Sequence, residues 1–101
     1  MFKAIILLTR RDDATPADFR EWMLVRHAPL AKQLPGVRKL VFNLVENADC
    51  GYDGVSELWF DTREAFDAAY QTEIGKAVAG DSIANVKTRL RMFVDEQPQI
   101  G

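Results

Sequence analysis

The chain has 101 residues, and its 48% hydrophobic and 28% charged residues are typical of one globular domain, not of a disordered or membrane protein. Its formal net charge of −2 gives no basic excess that would favour nucleic acid or an anionic membrane as a partner. The single cysteine, Cys50, excludes an intrachain disulfide, and no apolar run is long enough to span a bilayer, so we expect a cytoplasmic protein.

The first half of the chain predicts a strand, a helix and a second strand. The apolar run from Lys3 to Thr9 is typical of a buried strand. Residues 15–18 then supply an N-cap threonine, a proline and an aspartate, which together mark a helix start. The sequence Leu34-Pro35-Gly36 ends that helix, and the alternation from Val37 to Glu46 predicts the second strand.

The second half predicts a third strand, a second helix and a fourth strand. The third strand covers Val55 to Phe60, and Thr62 caps a helix that Gly75 and Gly80 are expected to interrupt. Alternation from Val86 to Val94 predicts the fourth strand. The order β-α-β-β-α-β predicts an α+β, ferredoxin-like fold over residues 1–101, with a four-stranded antiparallel sheet covered by helices on one face.

The other face of this sheet is predicted to be apolar and uncovered. Either set of alternating strand residues contains many apolar side chains. Leaving them in water costs roughly 25 cal/mol per Å² of apolar surface. We therefore expect a homodimer in which two sheets face each other.

Three segments of the chain are distinctive in their order and spacing. They are His27-Ala28-Pro29-Leu30, Leu34-Pro35-Gly36-Val37, and Glu57-Leu58-Trp59-Phe60-Asp61-Thr62 with Glu64-Ala65 following. Together they resemble the EthD family. The resemblance covers nearly the whole chain and implies a dimeric α+β barrel with a cleft between each sheet and its helices. Proteins of related folds include isomerases, polyketide cyclases and small monooxygenases, several of which need no cofactor, and none is expected here. The pocket-facing residues of the second helix cannot be transferred from the family.

His27 is the main candidate for chemistry, because it is the only histidine and titrates near neutral pH. Pro29 lacks an amide, so the carbonyl of Val25 loses its helical partner close to the imidazole. At about 100° per residue, Arg26 lies near the centre of the apolar helix face and His27 lies at its edge. From there His27 could exchange a proton with a carbon beside a carbonyl, or simply bond to the freed backbone carbonyl.

Four other kinds of residue complete the predicted site. Glu57 interrupts an apolar strand and could orient His27 or Arg26, serve as a second acid/base, or form a salt bridge at the sheet edge. Arg26 could bind a substrate carboxylate or place only its stem on apolar surface. Asn43 could polarise a carbonyl or bond across the dimer, and Trp22 and Trp59 could line an aromatic cleft or belong to the core. No metal-ligand spacing or glycine-rich phosphate loop is present in the sequence.

The predicted function is that of a cofactor-independent enzyme acting on a small hydrophobic carbonyl compound. The reaction would be an isomerisation, cyclisation or dehydration, with His27 and Glu57 as catalytic residues. One alternative is a non-catalytic ligand-binding or accessory dimer of an oxidative degradation pathway. Another is a haem- or oxygen-using member of the same superfamily, with His27 as an axial ligand.

Overall fold

Four antiparallel strands form one sheet in the order β2-β3-β1-β4 in the computed structural model, which describes residues 1–101 apart from the side chain of residue 48. The strands are β1 (Phe2–Arg10), β2 (Lys39–Leu44), β3 (Gly54–Phe60) and β4 (Val86–Val94). This arrangement confirms the predicted α+β, ferredoxin-like fold.

The helices are more divided than the sequence predicts. They are α1 (Pro16–Glu21), a π-helical segment (Trp22–His27), α2 (Ala28–Ala31), a 3₁₀ turn (Ala48–Cys50), α3 (Arg63–Gln71) and α4 (Glu73–Asn85). The Thr15 hydroxyl accepts a hydrogen bond from the Asp18 amide at 3.1 Å, and the Asp18 carboxylate accepts one from the Thr15 amide at 2.9 Å. This reciprocal cap confirms the predicted helix start. None of the helices among the described residues is long and apolar enough to cross a membrane.

The π-helical segment changes which residues face the core. The amide of Ala28 bonds to the carbonyl of Met23, five residues earlier, at the point where Pro29 supplies no amide. The wider turn makes Trp22 and His27 neighbours on the buried side, whereas Arg26 is exposed. The predicted central position of Arg26 and edge position of His27 are therefore wrong, because they assumed an unbroken α-helical phase.

The break in the second helical region lies at Thr72 and not at the glycines. The Thr72 backbone is extended, and its hydroxyl accepts a hydrogen bond from the Gly75 amide at 3.0 Å, which caps α4. A Cβ atom on Gly75 would lie 2.5 Å from the Cα atom of Tyr70 and would also collide with the carbonyl oxygen of Ala69. Gly75 thus permits the close approach of α4 to the end of α3, whereas a Cβ on Gly80 would meet open space.

The two faces of the sheet differ in what covers them. The hydrophobic core lies between the helices and one face, and its members include Ala4, Ile6, Leu8, Leu58, Phe60, Phe19, Met23, Phe66 and Val78. The opposite face carries a second apolar set, among them Ile5, Leu7, Val41, Val55, Leu90 and Met92. Leu90 is 50% exposed and Met92 is 37% exposed. The predicted uncovered apolar face is therefore present in the folded chain.

Candidate active site between the helices and the sheet

His27 and Asp81 form a hydrogen-bonded pair between the π-helical segment and α4. The imidazole Nδ1 lies 2.8 Å from the Asp81 carboxylate Oδ2, and His27 is only 6% exposed. An ionised carboxylate can only accept a hydrogen bond, so it assigns the proton of a neutral imidazole to Nδ1. The Nε2 atom then carries the lone pair, which can take a proton from another molecule.

The Asp81 carboxylate is held in place by two further side chains. Trp22 Nε1 donates to the same Oδ2 atom at 3.2 Å, and Asn85 Nδ2 donates to Oδ1 at 3.2 Å. Asn85 also donates to the backbone carbonyl of Asp81 at 2.8 Å, one helical turn earlier. These donors fix the carboxylate, and the carboxylate fixes the orientation of the imidazole.

Aromatic rings enclose the imidazole on two sides. The ring centroid of Trp22 lies 4.7 Å from that of His27, and the centroid of Phe42 lies 5.8 Å from it, both in stacked geometry. Burial in this setting lowers the pKa of His27, and the hydrogen bond and charge of Asp81 oppose that shift only in part. The imidazole is therefore neutral at pH 7 and able to act as a base.

Arg89 and Tyr70 bring a positive charge and a phenol to the same side of the sheet. Arg89 lies opposite Leu8 across the β1–β4 pair and so shares the helix-facing side with it. Burial lowers the pKa of Arg89 and raises the pKa of Tyr70. The Arg89 charge opposes the rise at Tyr70 only in part, and it also lowers the pKa of His27. The region thus combines a base, a cation and a phenol between aromatic walls.

The structure brings Trp22 and His27 together but places Glu57, Asn43 and Trp59 on the opposite, uncovered face. Ser56 and Leu58 point toward the helices, so Glu57, which lies between them, points away. The expected pairing of Glu57 with His27 or Arg26 is therefore wrong. The carboxylate that orients His27 comes from α4 instead.

Glu57 belongs to a polar network on the uncovered face. One carboxylate oxygen lies 3.0 Å from Lys3 Nζ, and the other accepts from Asn43 Nδ2 at 2.9 Å. The Asn43 hydrogen bond and the Lys3 ammonium hold the pKa of Glu57 below its usual range. Lys3 also lies 3.0 Å from Glu96, which accepts from Trp59 Nε1 at 3.2 Å. Glu57 is thus an ionised, well-paired carboxylate, and Arg26 lies exposed on the helix surface.

Three residues of the site were missed in the sequence. Asp81 and Asn85 are spaced one helical turn apart in α4, a weak signal that gains meaning only beside the buried residues Val78 and Ser82. Arg89 alternates with apolar residues of β4, and it shares a face of that strand with Phe93. This shared face was the sequence signal that Arg89 could lie near the core. None of these signals shows that Asp81, Asn85 or Arg89 lies near His27.

Two open grooves lie elsewhere on the surface. One of about 480 Å³ is lined by Thr9, Arg10, Asp12, Gly51, Asp53, Lys87 and Thr88. Another of about 350 Å³ lies between α1 and the loop after β2, where its lining includes Phe19, Arg20 and Glu46. Neither groove is lined by His27 or Asp81.

The fold and the position of this site, between helices and a four-stranded sheet, define a ferredoxin-like α+β protein. A family model described as the EthD domain matches residues 11–86. The chain therefore belongs to the EthD family, as the three sequence segments predicted. No curated protein matches the chain.

Solved structures agree with this assignment. An EthD family protein from Bacillus halodurans C-125 is 25% identical, covers 96% of this chain and 100% of its own, and gives a TM-score of 0.82. A dimeric ferredoxin-like protein of unknown function from Thermobifida fusca YX is 17% identical over 92% of this chain and 88% of its own, with a TM-score of 0.75. A mutant of SnoaB, a cofactor-independent oxygenase from Streptomyces nogalater, is 16% identical over 98% of this chain and 95% of its own, also at 0.75. At 17% and 16% identity, the last two structures show a shared fold and no more.

Proposed function

We propose that this protein is a cofactor-independent enzyme that moves a proton beside the carbonyl of a small hydrophobic compound. The observation that carries the proposal is the His27 imidazole, whose Nδ1 atom lies 2.8 Å from the Asp81 carboxylate while aromatic rings stack on both sides. Isomerisation, cyclisation and dehydration of carbonyl compounds all begin with such a proton transfer. The Asp81 pairing replaces the earlier expectation of Glu57 as the second catalytic residue.

In the proposed step, His27 Nε2 takes a proton from the carbon next to the substrate carbonyl. The electron pair of the broken C–H bond moves into the carbonyl group and leaves an enolate oxygen. The imidazolium that forms is stabilised by its hydrogen bond to Asp81, and it then returns the proton to carbon or oxygen. Asp81 is a positioning residue here, because it acts on the substrate only through His27.

Partly exposed side chains support ligand access to this buried pair. Phe42 and Arg89 lie on the helix-facing side of the sheet, and Tyr70 lies on α3. All three are neither fully buried nor fully exposed. The rings of Phe42 and Tyr70 suit a flat hydrophobic compound. The SnoaB likeness adds that this fold accommodates chemistry without a cofactor in at least one other protein.

We also propose that the protein works as a homodimer joined through the uncovered sheet face. The exposed fractions of Leu90 and Met92, 50% and 37%, leave apolar surface that a second copy would cover. The similar protein from Thermobifida fusca YX is dimeric. Sedimentation at micromolar concentration should give a dimer, and a stable monomer would contradict this part of the proposal.

Exchange of carbon-bound protons for deuterium tests the chemistry without knowledge of the natural substrate. We expect the wild-type protein in D₂O to accelerate exchange at the α-carbons of 2-tetralone, followed by proton NMR. Loss of the base in His27→Asn should reduce the accelerated rate by about 10²–10⁴-fold, the usual contribution of general acid–base catalysis.

Glu57→Gln is the matched control, because this carboxylate lies on the opposite face of the sheet. It should change the exchange rate by less than about twofold, while Asp81→Asn should give a smaller loss than His27→Asn. Circular dichroism confirms that each variant is folded. A folded His27→Asn protein with the wild-type rate, or a wild type with no acceleration, would contradict the proposal.

A further inference from the structure

Arg89 has a buried polar atom that the folded chain leaves without a partner. Its guanidinium Nε is inaccessible to solvent and makes no hydrogen bond within the part of the chain that the structure describes. No ion pair involving Arg89 occurs among the described residues. A buried donor of this kind is unfavourable unless some other molecule supplies the acceptor.

Most of the other seven arginines have an ionic or aromatic partner. Four of them, Arg10, Arg11, Arg38 and Arg63, each lie within 4 Å of an aspartate. Arg91, two residues along the same face of β4, lies 5.3 Å from the ring of Phe66 and 5.2 Å from that of Phe93, and it is exposed. Arg89 is the more deeply buried of the two, and no carboxylate among the described residues forms an ion pair with it.

The groups that act on Arg89 cannot neutralise its charge. Tyr70 on α3 is a phenol whose pKa is raised by burial, so it stays protonated. Arg91 adds a second positive charge nearby, and His27 is neutral. The local charge around Arg89 is therefore positive.

We propose that Arg89, together with the hydroxyl of Tyr70, binds an anionic oxygen of the substrate. The substrate class is then a small aromatic carbonyl compound that carries a carboxylate or an ionised enol or phenol. A guanidinium offers several donors in one plane and binds such oxygens strongly. This inference rests on the proposed function for the position of the site, but anion binding itself needs no turnover.

Paired ligands that differ only in charge test the proposal. Isothermal titration of the full chain should show 1-naphthoate binding at least tenfold more tightly than neutral 1-naphthamide, or 4-nitrophenolate more tightly than 4-nitroanisole. Preference within the first pair assigns a carboxylate, and preference within the second pair assigns an ionised phenol or enol. Equal affinities within both pairs would overturn the proposal.

Arg89→Met should abolish the preference for the anion. The affinity for the anion should fall at least tenfold, and the affinity for the neutral ligand should fall less than threefold. Arg91→Met, on the same face of the same strand, should change either affinity by less than threefold. Arg89→Met should melt at or above the wild-type temperature, since it removes the unpartnered donor. Arg89→Lys provides a second variant that keeps the charge and should retain part of the preference. Undiminished anion preference in Arg89→Met would refute the assignment.

The two proposals fail in different ways. If Arg89→Met loses anion preference but His27→Asn keeps the exchange activity, the anion site stands and the proton-transfer proposal falls. If His27→Asn loses exchange and Arg89→Met still prefers the anion, only the Arg89 assignment falls.

Discussion

Replacement of Asp81 by asparagine should lower the pKa of His27. The carboxylate raises that pKa in two ways, through its hydrogen bond to Nδ1 at 2.8 Å and through its charge. Burial acts in the opposite direction and is the largest contribution. Asparagine keeps an oxygen acceptor of nearly the same shape but removes the charge, so burial acts with less opposition.

The expected size of the change follows from the geometry. An opposite charge within hydrogen-bonding distance shifts a pKa by about 1–3 units. The Asp81 side chain is 28% exposed, so solvent screens part of its charge and places the expected drop near the lower end of that range, about one unit. One unit corresponds to about 1.4 kcal/mol in the preference of the protein for the neutral imidazole.

Proton NMR measures this pKa directly, because His27 is the only histidine in the chain. Its imidazole Hε1 signal needs no assignment and can be followed through a pH titration. Arg89→Met is the control of opposite sign: the Arg89 charge lowers the pKa of His27, so its removal should raise it. An unchanged or higher pKa in Asp81→Asn would refute the proposed pairing.

Three further predictions concern stability, each measured by urea unfolding. Burial lowers the folded-state pKa of His27, so the neutral imidazole contributes to stability above about pH 6.5, and this contribution is lost as the pH falls through the folded pKa. Over that pH range the free energy of unfolding of the wild type should fall by up to about 1.4 kcal/mol per pH unit relative to that of His27→Asn. Parallel pH profiles of the two proteins would contradict this. Gly75→Ala should cost about 1–3 kcal/mol, since its Cβ would collide with backbone atoms, whereas Gly80→Ala should be neutral or stabilising. Thr15→Ala should cost about 1 kcal/mol through loss of the N-cap, and an unchanged unfolding midpoint would argue against the reciprocal cap.

Local patterns were sufficient to predict most of the fold. The alternation from Val86 to Val94 gave the limits of β4, and Thr15 and Thr62 marked helix starts that the structure bears out. Each of these signals depends on residues a few positions apart. The strand order then follows from the standard topology of β-α-β-β-α-β chains, which required no knowledge of long-range contacts.

The helix containing His27 shows where local patterns were insufficient. In a regular α-helix, residues five apart do not share a face, so Trp22 and His27 were not expected to meet. The π-helical segment contains i→i+5 hydrogen bonds, and this spacing places the two rings in a stack at 4.7 Å. Pro29 indicated a disturbed helix, but it did not indicate whether the disturbance was a kink, an end or a wider turn.

The partner of His27 could not be found from spacing at all. Asp81 lies 54 residues further along the chain, on a helix whose start is set by Thr72 and not by the glycines. Glu57 was the more obvious carboxylate because it interrupts an apolar strand. Alternation shows that Glu57 and Leu58 lie on opposite faces of the sheet, but it does not show which face the helices cover. Only a carboxylate on the helix-covered side can reach His27.

The two faces of the sheet carry different proposed roles: one holds the proposed proton-transfer site, and the other is the proposed dimer interface. The His27–Asp81 pair and Arg89 lie on the helix side, while Glu57 pairs with Lys3 on the face proposed to meet a second copy. A substitution at Glu57 removes one of the two carboxylate partners of the buried Lys3 ammonium without touching the imidazole. It should therefore weaken the dimer in sedimentation before it alters proton exchange, whereas Asp81→Asn should alter exchange while the dimer remains. The opposite pattern would mean that the two faces are coupled through the sheet, and that the site requires the second copy.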